Sequence, residues 1–200
     1  MTSSEKRAVR SALIVALGGF IFGLDAALIS GGITSIREQF GLTDIEIGTV
    51  VSAPGFGVLF ALLVTGTICD KFGRKNTLLI IASLYLVSAI ASFLAPTYEF
   101  LVGARFLGGL AFTSLSVASI YIGEIAPPKV RGKLVSVNQL TIVVGLAIAF
   151  FINYGIFLLA QSDAGWVTSL VISAEPWRWM LGVAIITEIA WLLLMLPIPR

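Results

Sequence analysis

Apolar residues in this chain come in long runs, not in the short alternations that mark half-buried strands or surface helices. Six runs stand out, at about Ala12–Gly32, Gly48–Ile68, Thr77–Ala95, Tyr98–Ile122, Val135–Ala160 and Arg178–Leu196. A bilayer core about 30 Å thick takes about 20 apolar residues per helix, and each run is close to that length. The connections are mostly short, hold nearly all the charges, and carry Pro96, Pro127, Pro128 and Pro176. The pattern predicts an all-α integral membrane protein with a six-helix domain over residues 12–196. Residues 1–11 read as a polar tail, and 197–200 as the start of a further connection.

Charge orients the spans. Lys6, Arg7, Arg10, Lys71, Arg74, Lys75, Lys129, Arg131, Lys133 and Arg200 fall on the N-terminal side, against Arg37 and Arg178 on the other. That bias places both termini in the cytoplasm of a cell membrane, plasma or inner. Glu38, Asp44, Glu46, Glu99, Asp163 and Glu175 then lie outside, and Trp166, Trp177 and Trp179 sit where interfacial anchors belong. The basic N-terminus ahead of an apolar run resembles a leader peptide. The run is too long for one and lacks a small-residue cleavage site, so it reads as a retained first span.

Composition narrows the class further. The chain is 58% hydrophobic and only 12% charged, with a mean hydropathy of +1.01, against roughly 25% charged residues in ordinary soluble domains. The single cysteine, Cys69, permits no intrachain disulfide, and histidine is absent. Without it, the commonest metal ligand and the commonest general base at neutral pH are missing. No activated nucleophile or phosphate loop appears either, so no enzyme activity, metal or cofactor is expected. A net charge of +2 is too small to point to nucleic acid. Gly18, Gly19, Gly23, Gly55, Gly57, Gly103, Gly108 and Gly109 would let helices pack closely.

Three ionisable residues lie inside spans: Asp25, Arg105 and Glu188. Each costs roughly 2.5–3.5 kcal/mol on insertion scales unless paired or hydrated. Counting from the outer ends of spans one and four puts Asp25 and Arg105 at a common depth of about 10 Å, so a buried pair is expected. These spans open two three-helix units, which matches the inverted 3+3 repeat of many transporters, so a bundle of two inverted three-helix repeats is expected. The pair can be read as a structural ion pair or as a proton switch. A nearby guanidinium favours the carboxylate and burial favours the neutral acid. Glu188, about a turn deeper, either joins this network or faces a polar groove.

Motifs then give a resemblance. Gly66-Thr-Ile-Cys-Asp70-Lys71-Phe-Gly73-Arg74-Lys75 resembles the signature G-x-x-x-D-[RK]-x-G-R-[RK] of the major facilitator superfamily, with Gly66 expected at a close helix contact. Gly19-Phe-Ile-Phe22-Gly23-Leu-Asp25-Ala-Ala-Leu-Ile-Ser30-Gly31 resembles the first helix of its sugar porter branch. Arg105-Phe-Leu-Gly108-Gly109 resembles the fourth, Glu124-Ile-Ala-Pro127-Pro-Lys-Val-Arg131-Gly132 the turn after it, Asn138-Gln139-Leu part of the fifth, and Trp177-Arg178-Trp179-Met180 the start of the sixth.

The resemblance, from about Gly18 onward, implies proton-coupled monosaccharide symport by alternating access. Asp25 would carry the proton and Arg105 would pair with it. Phe22 and Gln139 would contact sugar, and an amide suits hydroxyls because it both donates and accepts. Asp70, Arg74, Glu124 and Arg131 would form a cytoplasmic gate. Leu24 and Leu146 depart from the family pattern, Glu188 answers to no position in it, and Leu196-Pro-Ile-Pro-Arg200 echoes it only in part.

Relatives in that family have twelve spans. The chain is therefore expected to be the N-terminal half of a longer protein, or else to pair with a second copy. Residues 197–200 would then begin the interdomain linker. Carriage of another small solute on the same fold, or a non-transporting sensor or remnant half-protein, are the alternatives.

Overall fold

The computed structural model describes residues 3–161, 172 and 174–198. Asp163, Trp166 and Arg200 therefore lie outside the described residues. Seven helices make the fold: α1 (Ser3–Phe40), α2 (Asp44–Phe72), α3 (Arg74–Phe93), α4 (Tyr98–Ala111), α5 (Ser114–Ile125), α6 (Arg131–Ala160) and α7 (Pro176–Met195). Together they supply six helical stretches long and apolar enough to cross a bilayer, α4 and α5 sharing one. No strand occurs among the described residues. The protein is a multi-pass membrane protein.

Local chemistry sets the helix ends. Thr43 and Glu46 close a reciprocal capping box at the start of α2, which satisfies two backbone donors that the helix leaves free. Gly73 turns the chain from α2 to α3 at φ 81°, a conformation that side chains disfavour. Thr97 caps α4, and Pro176 stands in the first turn of α7, where a missing N–H costs nothing.

Two features depart from the sequence expectation. Helix α1 runs through the segment read as a polar tail and ends at Phe40, eight residues past Gly32. No proline interrupts it, and Ile36 and Phe40 pack into the outer core, with the Phe40 ring 5.9 Å from that of Trp177. The fourth run is also split, by a turn at Phe112 and Thr113, where Thr113 Oγ1 donates to the Leu110 carbonyl at 3.2 Å.

Helix α1 packs on α6 and α7, while α4 packs on α2 and α3. Exchanging the first three spans with the last three maps one set of contacts onto the other, as two repeated three-helix units require. The crossings repeat in atomic detail. A Cβ on Gly23 would strike the Ile142 carbonyl, and one on Gly145 the Phe20 carbonyl. In the other crossing, Gly57 faces the Phe106 carbonyl and Gly109 the Pro54 carbonyl. In all four cases the carbonyl lies three residues before the opposing glycine. Lipid gives helices no hydrophobic reason to associate, so backbone contact of this closeness carries the packing.

Some glycines singled out from sequence do not do this. Gly55, Gly66 and Gly103 meet nothing within 4 Å, because each points off the bundle. Gly18 faces the Trp191 ring, Gly19 the backbone of Asn138, and Gly108 the Ser88 hydroxyl.

Two apolar cores result. One holds Val15, Ile21, Leu78, Tyr85, Val117, Ile122 and Trp191; the other holds Leu24, Leu28, Ile36, Val50, Leu101, Trp177 and Leu181. A thin polar layer lies between them.

Candidate functional site

Helix α1 delivers Asp25 into that layer and α4 delivers Arg105. Arg105 Nη1 donates to Asp25 Oδ1 at 2.9 Å, and Nη2 lies 3.5 Å from the Asp25 carbonyl. The side chains are 2% and 7% exposed. Asp25 Oδ2 and Arg105 Nε make no hydrogen bond among the described residues, so the pair is held by one strong contact and keeps a free carboxylate oxygen.

Glu188 comes from α7. It is 1% exposed, neither carboxyl oxygen has a hydrogen-bond partner among the described residues, and it lies within electrostatic reach of Asp25 and Arg105. Glu188 thus lies buried near the pair without contacting it, whereas the Arg105 guanidinium is bonded to Asp25.

Hydroxyl groups overlooked in the sequence complete the layer. Ser88 Oγ on α3 donates to the Ala104 carbonyl at 2.7 Å, tying α3 to the turn that carries Arg105. A methyl group on Gly108 would lie 2.6 Å from this hydroxyl, so Gly108 leaves room for the Ser88 contact. Tyr85 OH lies 3.3 Å from Ser114 Oγ, just past the break in the fourth span.

The residues expected to touch substrate lie apart from the pair in different ways. Phe22 is half-buried and stacks edge-on against Phe112, with ring centres 4.7 Å apart. Phe112 sits in the helix break and in turn approaches Tyr85 at 6.1 Å. Gln139 is exposed on α6. Its neighbour Asn138, about 100° round the helix, is the amide that turns inward, donating to Ser119 Oγ at 3.4 Å. Asn153 also points inward, to the Ala27 carbonyl at 3.3 Å.

Charges at the other end of the bundle form a second constellation. Arg74 Nε donates to Glu124 Oε1 at 3.0 Å, and its Nη1 lies 3.5 Å from Asp70 Oδ1. Arg131 does not join them: its Nη2 lies 3.4 Å from the Ala126 carbonyl. Lys75, not singled out for a contact, donates to the Leu196 carbonyl at 2.9 Å. A cavity of about 360 Å³ lies among Arg74, Lys75, Tyr121 and Glu124.

The outer ends carry a third network. Arg178 pairs with Glu175 and donates to the Phe93 carbonyl at 2.7 Å, capping α3. Trp177 Nε1 donates to Gln39 at 2.5 Å. Trp177 is fully buried, which corrects its reading as an interfacial anchor: its Cβ lies against Gly32 and its ring against that of Phe40.

The sequence model of the family described as "Sugar (and other) transporter" matches residues 11–200. The chain belongs to this family. It is 34% identical over 187 residues to the arabinose-proton symporter of Bacillus subtilis (strain 168), covering 92% of this chain and 38% of that one. It is 36% identical over 181 residues to the galactose-proton symporter of Escherichia coli (strain K12), covering 90% and 36%. A solved structure of the major facilitator superfamily proton:xylose symporter XylE superposes with a TM-score of 0.86 at 27% identity, covering 98% of this chain and 45% of that one. The chain therefore has the fold of a six-helix half of a major facilitator transporter, and spans little more than a third of the length of these curated relatives.

Proposed function

We propose that this chain is the N-terminal half of a proton-coupled monosaccharide symporter that works by alternating access, completed by a C-terminal six-helix half or a second copy. The observation that carries this reading is the buried Asp25–Arg105 pair beside Glu188. A charge layer inside a membrane domain is costly as pure scaffold, and it suits a site that loads and releases a proton.

One proton on the two carboxyls makes the layer neutral against Arg105. Asp25 takes the proton through its free oxygen, and Glu188 is the second acceptor. Protonation weakens the hold of Arg105 on α1, which frees α1 and α4 to shift against each other. Phe22 abuts Phe112 in the break of the fourth span, so an aromatic wall for sugar adjoins the proton site. Gln139, on the uncovered face of α6, is placed to meet sugar hydroxyls between the halves. The Asp70–Arg74–Glu124 cluster closes the cytoplasmic side in one state, without Arg131 in the geometry seen. Both termini lie in the cytoplasm, in keeping with the charge bias. The reading assigns no catalytic residue, metal or cofactor.

The test is sugar-driven proton uptake in proteoliposomes, with the longest chain the gene encodes and its Asp25→Asn variant. External hexose or pentose is expected to alkalinise the medium. Asp25→Asn is expected to abolish that signal while sugar exchange continues. Sugar flux without proton flux in both forms would make the protein a facilitator and Asp25 structural.

A further inference from the structure

A cavity distinct from the charged layer and from the Arg74 cluster lies at one end of the bundle. It measures about 650 Å³ and opens where α1 begins and where α5 and α7 end, within the range of roughly 300–1,000 Å³ typical of small-ligand pockets. Arg7 and Arg10 line it, with Ser11 and Ile14 below them on the same face of α1; Ile125 and Ile198 form the opposite wall. The spacing explains the arrangement, since residues three and four apart share a helix face.

Among the described residues neither Arg7 nor Arg10 has an ion-pair or hydrogen-bond partner, unlike Arg37, Arg74, Arg105 and Arg178, each of which is paired with a carboxylate. No acidic residue among the described residues lines the cavity. The nearest along the chain on its far wall, Glu124, is engaged by Arg74. Two unneutralised guanidinium groups thus face an apolar-walled hollow directly before the first apolar run, at the level where a membrane leaflet presents its phosphates.

We propose that this hollow binds the headgroup of an anionic phospholipid. Arg7 and Arg10 hold the phosphate, for which the guanidinium fork is suited. The isoleucines take the glycerol backbone and the first acyl carbons. A soluble phosphate ester shares the phosphate chemistry but leaves the apolar wall unused.

The test is native mass spectrometry of the full-length protein released from nanodiscs of phosphatidylcholine doped with phosphatidylglycerol. Arms with glycerol 3-phosphate in solution separate the two phosphate sources. The expected result is retention of phosphatidylglycerol over phosphatidylcholine, reduced on the order of tenfold in Arg7→Gln/Arg10→Gln. Lys129→Gln/Lys133→Gln, which removes the same charge from the same side outside the cavity, is expected to retain it. Ala8→Trp fills the hollow while keeping both arginines and is expected to lose the lipid as well. Equal loss in the two charge variants, or retention in Ala8→Trp, would mean diffuse surface attraction and overturn the site. Binding of glycerol 3-phosphate without lipid retention would overturn the lipid assignment. Circular dichroism of every variant checks that the helices persist.

Discussion

Arg105 is the residue on which the polar layer depends, since among the described residues it is the cation that pairs with buried Asp25 and lies within electrostatic reach of Glu188. Removing one partner of a buried pair leaves an uncompensated charge, a loss of about 3–5 kcal/mol. Arg105→Met is expected to lower stability by that order in denaturant unfolding in detergent. Adding Asp25→Asn and Glu188→Gln should recover most of it, because the charges are then removed together. Absence of recovery would show that the arginine acts through packing. The three charges were legible in the sequence because ionisable residues in apolar runs are rare. Ser88 was not. Thr65 and Ser83 bond the carbonyls of their own helices, to Ala61 at 2.6 Å and Leu79 at 2.9 Å, whereas Ser88 reaches across to Ala104. Nothing in the local sequence distinguishes these habits.

At the scale of the helices, the two glycine crossings decide how closely the bundle closes. Gly109→Ala and Gly145→Ala place a methyl group against a backbone carbonyl that cannot rotate away, and each is expected to cost about 1–3 kcal/mol. Gly103→Ala, with open space around it, should leave the unfolding midpoint of this chain unchanged or slightly raised, since alanine favours helix. Equal losses in all three would place the glycine effect in the helix backbone rather than in the crossings. Lys75 adds a tie between the turn after α2 and the last turn of α7. Lys75→Met is expected to speed amide hydrogen exchange in the last turn of α7 with little change in the rest of the helix. The split of the fourth span was invisible in the sequence, because Phe112-Thr-Ser114 contains neither glycine nor proline.

For the whole molecule, thiol labelling reads both orientation and completion. With cytoplasmic termini, Lys129→Cys should react with an impermeant maleimide only from the cytoplasmic side and Asp44→Cys only from outside, in a Cys69→Ala background. Reversed labelling would invert the topology. Helices α2 and α6 leave Leu63, Phe151 and Tyr154 heavily exposed, and the chain covers 45% of the XylE chain it superposes on. In detergent, a second six-helix half is expected to shield Leu63→Cys and Phe151→Cys from a membrane-permeant maleimide, and a lone six-helix protein to leave them reactive.

The sequence alone determined six spans and the family motifs, because apolar run length and fixed motif spacing are both one-dimensional quantities. It also placed Asp25 and Arg105 at one depth, since helix rise converts residue number into height. Rotation about each helix axis is not contained in run length. That is why only the tertiary structure turned Asn138 inward and Gln139 outward, seated Trp177 in the core, and brought Glu188 near the pair. It also held Arg131 away from Glu124 and left Gly66 without a neighbour. Height was written along the chain; facing was decided by packing.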